Sequence, residues 1–156
     1  MSVAEKLVEL LQARGMTCAT AESCTGGGVG AAITAVAGSS AIFKGGIIAY
    51  ANEIKHAILG VDSSSLEKFG AVSGEVAGEM ALGAKKLLNV NLAVAVTGVA
   101  GPGGGSAEKP VGTVWFGIAT SEGVRTEKCL FAGNREKVRQ STIIHALGML
   151  TAAAIA

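Results

Sequence analysis

The sequence predicts a single α/β domain, with a mixed sheet of about five strands and helices on both faces. Three observations carry this expectation. Short runs rich in β-branched and apolar residues alternate with amphipathic stretches that begin at good capping residues. Residues 23–43 and 87–107 hold no charged side chain, as parallel strands and the segments covering them do. Two β-rich segments flank Ser121-Glu122-Gly123 and read as a hairpin, which adds an antiparallel strand to a sheet whose earlier strands are joined by helices. At 156 residues the chain can bury one sizeable core but not two, so one domain spans residues 1–156.

The elements follow in order. Val3, Leu7, Leu10 and Leu11 share one face of an opening helix over 3–14, which Gly15 stops. Met16 to Ala21 reads as a strand, and Glu22 to Gly28 as a tight turn into an alanine-rich helix ending near Ala37. A second strand covers Phe43 to Ala51 and passes into a short helix that carries Lys55 and ends near Gly60. Ser64-Ser65-Leu66-Glu67 fits a capping box, and Ser73 caps a longer helix reaching Leu88. Asn91 to Thr97 is a strand followed by a glycine-rich loop to about Lys109. The hairpin strands run from Gly112 to Thr120 and from Val124 to Phe131. Asn134 caps the last helix, with Glu136 in its first turn and Val138, Ile143, Leu147 and Leu150 available for packing.

Composition excludes several classes of function. Thirteen Lys plus Arg against twelve Asp plus Glu leave a net charge of +1, and aromatics are 4%, so neither a steering field nor stacking surface for nucleic acid is expected. The two uncharged stretches are broken by Gly26-Gly27-Gly28 and by Gly101-Pro102-Gly103-Gly104-Gly105, which argues against membrane spans. Three cysteines, Cys18, Cys24 and Cys129, have no C-x-x-C spacing and read as reduced thiols of a cytoplasmic protein. The charged N-terminus does not resemble a signal peptide. No spaced His and carboxylate cluster suggests a metal, and no Walker or dinucleotide motif is present.

Ser23 falls where a strand ends and a helix begins. Amides at that helix start would suit an anion or oxyanion, and Gly26 to Gly28 would clear side chains from a ligand's path. Ser23 or Thr25 could equally serve only as a helix cap. A nucleophilic serine needs a base, and His56 and Lys55, adjacent on a helix, would diverge so that only one faces the turn. Lysine serves when burial lowers its pKa, and the Tyr50 phenol could orient it or donate a proton. Cys24 is a rival nucleophile at the same turn, because a helix N-terminus favours a thiolate. The loop Gly98 to Ser106 follows a strand, where open α/β sheets place ligand loops, and its amides could cradle a phosphate.

Four motifs occur in one order: Ala21-Glu22-Ser23-Cys24-Thr25-Gly26-Gly27, Tyr50-Ala51-Asn52-Glu53-Ile54-Lys55, Thr97-Gly98-Val99-Ala100-Gly101-Pro102 and Lys109-Pro110-Val111-Gly112-Thr113-Val114. Together they resemble the CinA C-terminal family across essentially the whole chain. The resemblance implies a three-layer α/β/α sandwich with a mixed five-stranded sheet. It also implies hydrolysis of the amide of nicotinamide mononucleotide to nicotinic acid mononucleotide and ammonia, in pyridine nucleotide salvage. Ser23 would be the nucleophile, Lys55 the general base and Tyr50 a member of the proton relay, with no metal or cofactor. Thr25, Gly26, Gly27, Asn52, Thr97, Gly98, Gly101, Gly105 and Arg139 would bind the substrate, Arg139 through its phosphate. Many relatives carry a second, N-terminal domain resembling molybdopterin-binding proteins; none precedes Met1, so a stand-alone deamidase is expected. A homodimer is expected too, since relatives are often dimers and the small residues of Gly74 to Lys86 allow close packing. Two other readings stay open: a catalytically silent nucleotide-binding or regulatory module, and a Cys24-dependent amidase.

Overall fold

The computed structural model describes all residues, Met1–Ala156. Its elements are α1 (Val3–Arg14), β1 (Cys18–Glu22), α2 (Gly28–Thr34), β2 (Phe43–Ile48), α3 (Asn52–Leu59), α4 (Ser63–Phe69), α5 (Gly74–Leu88), β3 (Leu92–Gly98), β4 (Thr113–Thr120), β5 (Gly123–Leu130) and α6 (Arg135–Ile155), with a 3₁₀ turn at Ser39–Ala41. The strands form one mixed sheet in the order β2-β1-β3-β4-β5. β1 runs parallel to β2 and β3, whereas β4 is antiparallel to both β3 and β5. Helices α1, α2 and α6 cover one face and α3, α4 and α5 the other, giving the three layers expected.

Side-chain alternation along the strands decides how closely each layer approaches. Leu92, Val94 and Val96 of β3 point with Phe116 and Ile118 of β4 toward α1, α2 and α6. Ala19, Ala21, Ala93, Ala95 and Ala119 form the other face, where Val76, Met80 and Ala84 of α5 pack. The small residues let α5 sit close to the sheet. A Cβ on Gly117 would strike the Ala77 carbonyl, and one on Gly83 would strike the carbonyl of Leu59 at the end of α3. Gly83→Ala therefore tests the packing with a definite sign. Helix propensity alone would stabilise this change by about 1 kcal/mol. The clash is expected to reverse that and cost about 1–3 kcal/mol, read from denaturant unfolding.

Several boundaries shift from expectation. Strand β1 begins at Cys18, because the Met16 amide donates to Leu11 to finish the end of α1 and Thr17 is held by the Asn91 side chain. Helix α2 ends at Thr34 instead of near Ala37: the Val36 amide turns back to Ile33, and Gly38 at φ +87° leads into the 3₁₀ turn. Strand β2 ends at Ile48, so Tyr50 and Ala51 are free to start α3. The cap of α4 is Asp62, whose carboxylate accepts from the Ser64 amide, instead of a Ser64–Glu67 box. Ser73 and Asn134 cap α5 and α6 as expected, and Ser2 forms a full capping box on α1. No helix is long and apolar enough to cross a membrane. All three cysteines are free.

Candidate active site

Strand order 2-1-3-4-5 places a topological switch between β1 and β3, the position at which open α/β sheets form a crevice beyond the carboxyl ends of their strands. Ser23 follows β1 there, and its amide extends the ladder by donating to Val96 of β3. A cleft of about 200 Å³ opens at this point, lined by Ser23, Cys24, Tyr50, Asn52, Lys55, Ala71, Val72, Thr97, Gly98, Ala100 and Arg135.

Lys55 is the buried amine of the cleft. Only 1% exposed, it is among the largest fully buried side chains of the protein. Its Nζ lies 2.9 Å from Ser23 Oγ and 2.9 Å from the Tyr50 carbonyl oxygen, with no carboxylate among its partners. Burial is the main influence on this amine and lowers its pKa below the ordinary lysine range, with a smaller opposing contribution from Cys24. A deprotonated amine would donate to the Tyr50 carbonyl and turn its lone pair to the Ser23 hydroxyl, as a general base must. His56, as expected, diverges; its Nδ1 lies 2.7 Å from the Val61 carbonyl.

The neighbouring carboxylate explains why the lysine has no acidic partner. Glu22, 2% exposed, accepts from the Thr25 hydroxyl and from the amides of Val29 (2.8 Å) and Gly30 (3.0 Å). The N-terminus of α2 is thus filled by the protein's own anion, and the expected substrate-anion site at that helix start is corrected accordingly. The glycines beside it also make room for protein more than for ligand. A Cβ on Gly27 would meet Ile48, and one on Gly28 would meet Ile143. What the turn leaves open is a pair of backbone donors: the amides of Thr25 and Gly27 have no protein acceptor, whereas the Cys24 amide is directed at its own thiol.

Other expected residues fall into two groups. Ser23, Lys55, Asn52, Thr97 and Gly98 line the cleft, although the Thr97 hydroxyl is engaged by the Ala71 carbonyl. Tyr50 also lines it: its carbonyl accepts from Lys55, while the residue is 64% exposed and its phenol hydroxyl makes no hydrogen bond within the protein. Thr25, Gly26, Gly27, Gly101, Gly105 and Arg139 lie outside the lining. Arg139 donates from Nε and Nη2 to the carbonyls of Cys24 and Thr25, so it clamps the serine turn from behind. Cys24, the rival nucleophile, is buried, and burial pushes its thiol up to about 11, the reverse of the activation expected at a helix N-terminus.

Arg135 was not singled out from the sequence, yet it lines the cleft and donates to the Gly101 carbonyl at 2.8 Å. The available signal was spacing: Arg135 and Arg139 are four residues apart and share a helix face. The loop that Arg135 reaches is tied down at both ends. Val99 donates to Thr113, Gly112 to Val99, and the Lys109 ammonium to the Phe69 carbonyl. The Gly101–Pro102 peptide is cis.

Fold and site together define an α/β protein with a buried serine–lysine pair at the switch point of its sheet. The sequence model of the CinA C-terminal domain matches residues 1–154, and the chain belongs to that family. It is 49% identical over 152 residues to the nicotinamide-nucleotide amidohydrolase PncC of Escherichia coli K12, covering 96% of this chain and 92% of that protein. It is 48% identical over 146 residues to a putative competence-damage inducible protein of Thermoanaerobacter sp. X514, covering 94% of this chain. The chain spans 35% of that longer relative. The crystal structure of the competence/damage inducible protein CihA from Agrobacterium tumefaciens superposes with a TM-score of 0.95 at 43% identity, covering 97% of this chain and 93% of that one.

Proposed function

We propose that this protein is an amidohydrolase that converts nicotinamide mononucleotide and water to nicotinic acid mononucleotide and ammonia. The observation that carries the reading is the 2.9 Å contact between a buried, depressed-pKa lysine and Ser23, in a chain half identical to PncC along nearly its full length. In the proposed chemistry, neutral Lys55 takes the Ser23 proton while Oγ bonds to the carboxamide carbon. In this reading backbone amides of the serine turn donate to the resulting oxyanion. Lys55 then returns the proton to the departing nitrogen, ammonia leaves, and water activated by the same amine cleaves the acyl–serine ester. Arg135 is the cleft's own cation and the favoured partner for the nucleotide phosphate, with Arg139 assigned to the serine turn. Pyridine nucleotide salvage, a cytoplasmic setting and a homodimer belong to the same reading.

The test is ammonia release by purified protein from nicotinamide mononucleotide, with free nicotinamide as control. Turnover of the mononucleotide alone supports the proposal, and tight nucleotide binding without ammonia would transfer it to a silent binding module. The pH profile adds an independent check. Because the base must be neutral, kcat/KM is expected to rise with pH through the lowered Lys55 pKa and to be lost as pH falls through it. The midpoint of that limb should fall below the ordinary lysine value of about 10.4. A midpoint at the ordinary value would exclude a desolvated lysine as base.

A further inference from the structure

Far from the cleft, the edge of the sheet brings together three side chains for which the reaction has no use. Residues of β5 alternate between the faces: Val124 and Thr126 approach Gly78 of α5. Glu127 and Cys129, opposite Phe116 and Val114 in register, therefore project toward α6. His145 meets them from that helix. Its Nε2 lies 2.9 Å from Glu127 Oε1 and 3.6 Å from Cys129 Sγ, and Sγ lies 4.0 Å from the same carboxylate oxygen. The imidazole is held by Phe116, with ring centroids 4.5 Å apart, and by the edge of Phe131 at 6.1 Å.

We propose that Glu127, Cys129 and His145 form a site for a thiophilic divalent cation of the zinc type, with water at the fourth position. The size of the triangle carries the argument. Zinc bonds of about 2.0–2.3 Å to N, O and S at tetrahedral angles set ligand atoms about 3.3–3.6 Å apart. Edges of 2.9, 3.6 and 4.0 Å bracket that spacing, and Glu127 is exposed and free to adjust by a few tenths of an ångström. An imidazole–carboxylate pair at a surface contributes little by itself and requires no thiol at the third corner.

Charge supports the same assignment. On binding, the S–H bond breaks, the metal–sulfur bond forms, and the proton passes to solvent. One thiolate, one carboxylate and a neutral imidazole then balance the two positive charges. Bound metal would pin α6 to edge strand β5. Since α6 also carries Arg135 and Arg139, the site would steady the helix that holds the serine turn and the glycine loop, without entering the chemistry.

The experiment uses untagged full-length protein, stripped with chelator and kept reduced, titrated with Co²⁺ and then Zn²⁺. Saturation at one equivalent is expected, with the strong visible absorption of tetrahedral cobalt, a thiolate-to-cobalt charge-transfer band, and displacement by zinc with proton release. Zinc should also raise the unfolding temperature, because it binds only the assembled site. Cys129→Ser should remove the charge-transfer band, and both it and Glu127→Gln should weaken binding by about tenfold or more. Glu127→Gln, at an exposed position, keeps the test independent of any folding defect in the first variant. No saturable cobalt spectrum in the wild type, or undiminished binding in both variants, would overturn the site.

Discussion

Ser23→Ala is expected to lower ammonia release from nicotinamide mononucleotide by about a thousandfold or more, while the nucleotide still binds. The hydroxyl is the one candidate nucleophile in the cleft with a base at hydrogen-bond distance, Lys55 Nζ at 2.9 Å. Its removal leaves the backbone donors of the turn intact, because the Ser23 amide and carbonyl make their bonds to Val96 and Gly26 regardless of side chain. The loss should therefore appear in kcat, with KM changed little. Cys24→Ala sharpens the result. A thiol pushed up to about 11 is protonated at neutral pH, so this variant should keep most of its activity. The opposite pattern, Ser23→Ala active and Cys24→Ala inert, would reassign the nucleophile to the neighbouring residue.

Lys55→Met should reduce kcat by about 10²–10⁴-fold, the usual contribution of a positioned base. Methionine is chosen over alanine because it keeps most of the buried volume and avoids a cavity under α3. The amine is buried without a carboxylate, so its replacement by an apolar chain should leave the unfolding temperature equal to or above that of the wild type. Activity down with stability held or raised is the signature of a group retained for chemistry. Kinetics and thermal unfolding on the same preparation would measure it. A stable Lys55→Met protein with wild-type kcat would remove the lysine from the mechanism.

Much of the architecture was legible because it rests on local interactions. Ser73 and Asn134 cap their helices through bonds spanning three residues, and Gly15 ends α1 by turning left-handed at φ +63°. The mismatches divide between local competition and tertiary contact. Asp62 took the cap assigned to Ser64, since its carboxylate accepts the Ser64 amide two residues on. Asn91 held Thr17 and delayed β1. Of the site, Ser23 and Lys55 were legible as the proposed nucleophile and base only from four motifs read together, and Arg135 was passed over because a surface arginine and a cleft arginine look alike in sequence.

The sequence by itself determined the layers, the strand count, the caps of α5 and α6 and the pairing of Ser23 with Lys55 as candidates, since periodicity and motif order survive without coordinates. Tertiary structure alone decided the rest. It brought Lys55 Nζ to Ser23 across 32 residues, gave the start of α2 to Glu22, turned Arg139 onto the serine turn and assembled Glu127, Cys129 and His145 at the sheet edge. The physical reason is range. A cap or an apolar stripe is settled within one or two helical turns, whereas side chains from separate strands and helices meet only after the whole sheet has closed and burial has set the protonation of each group.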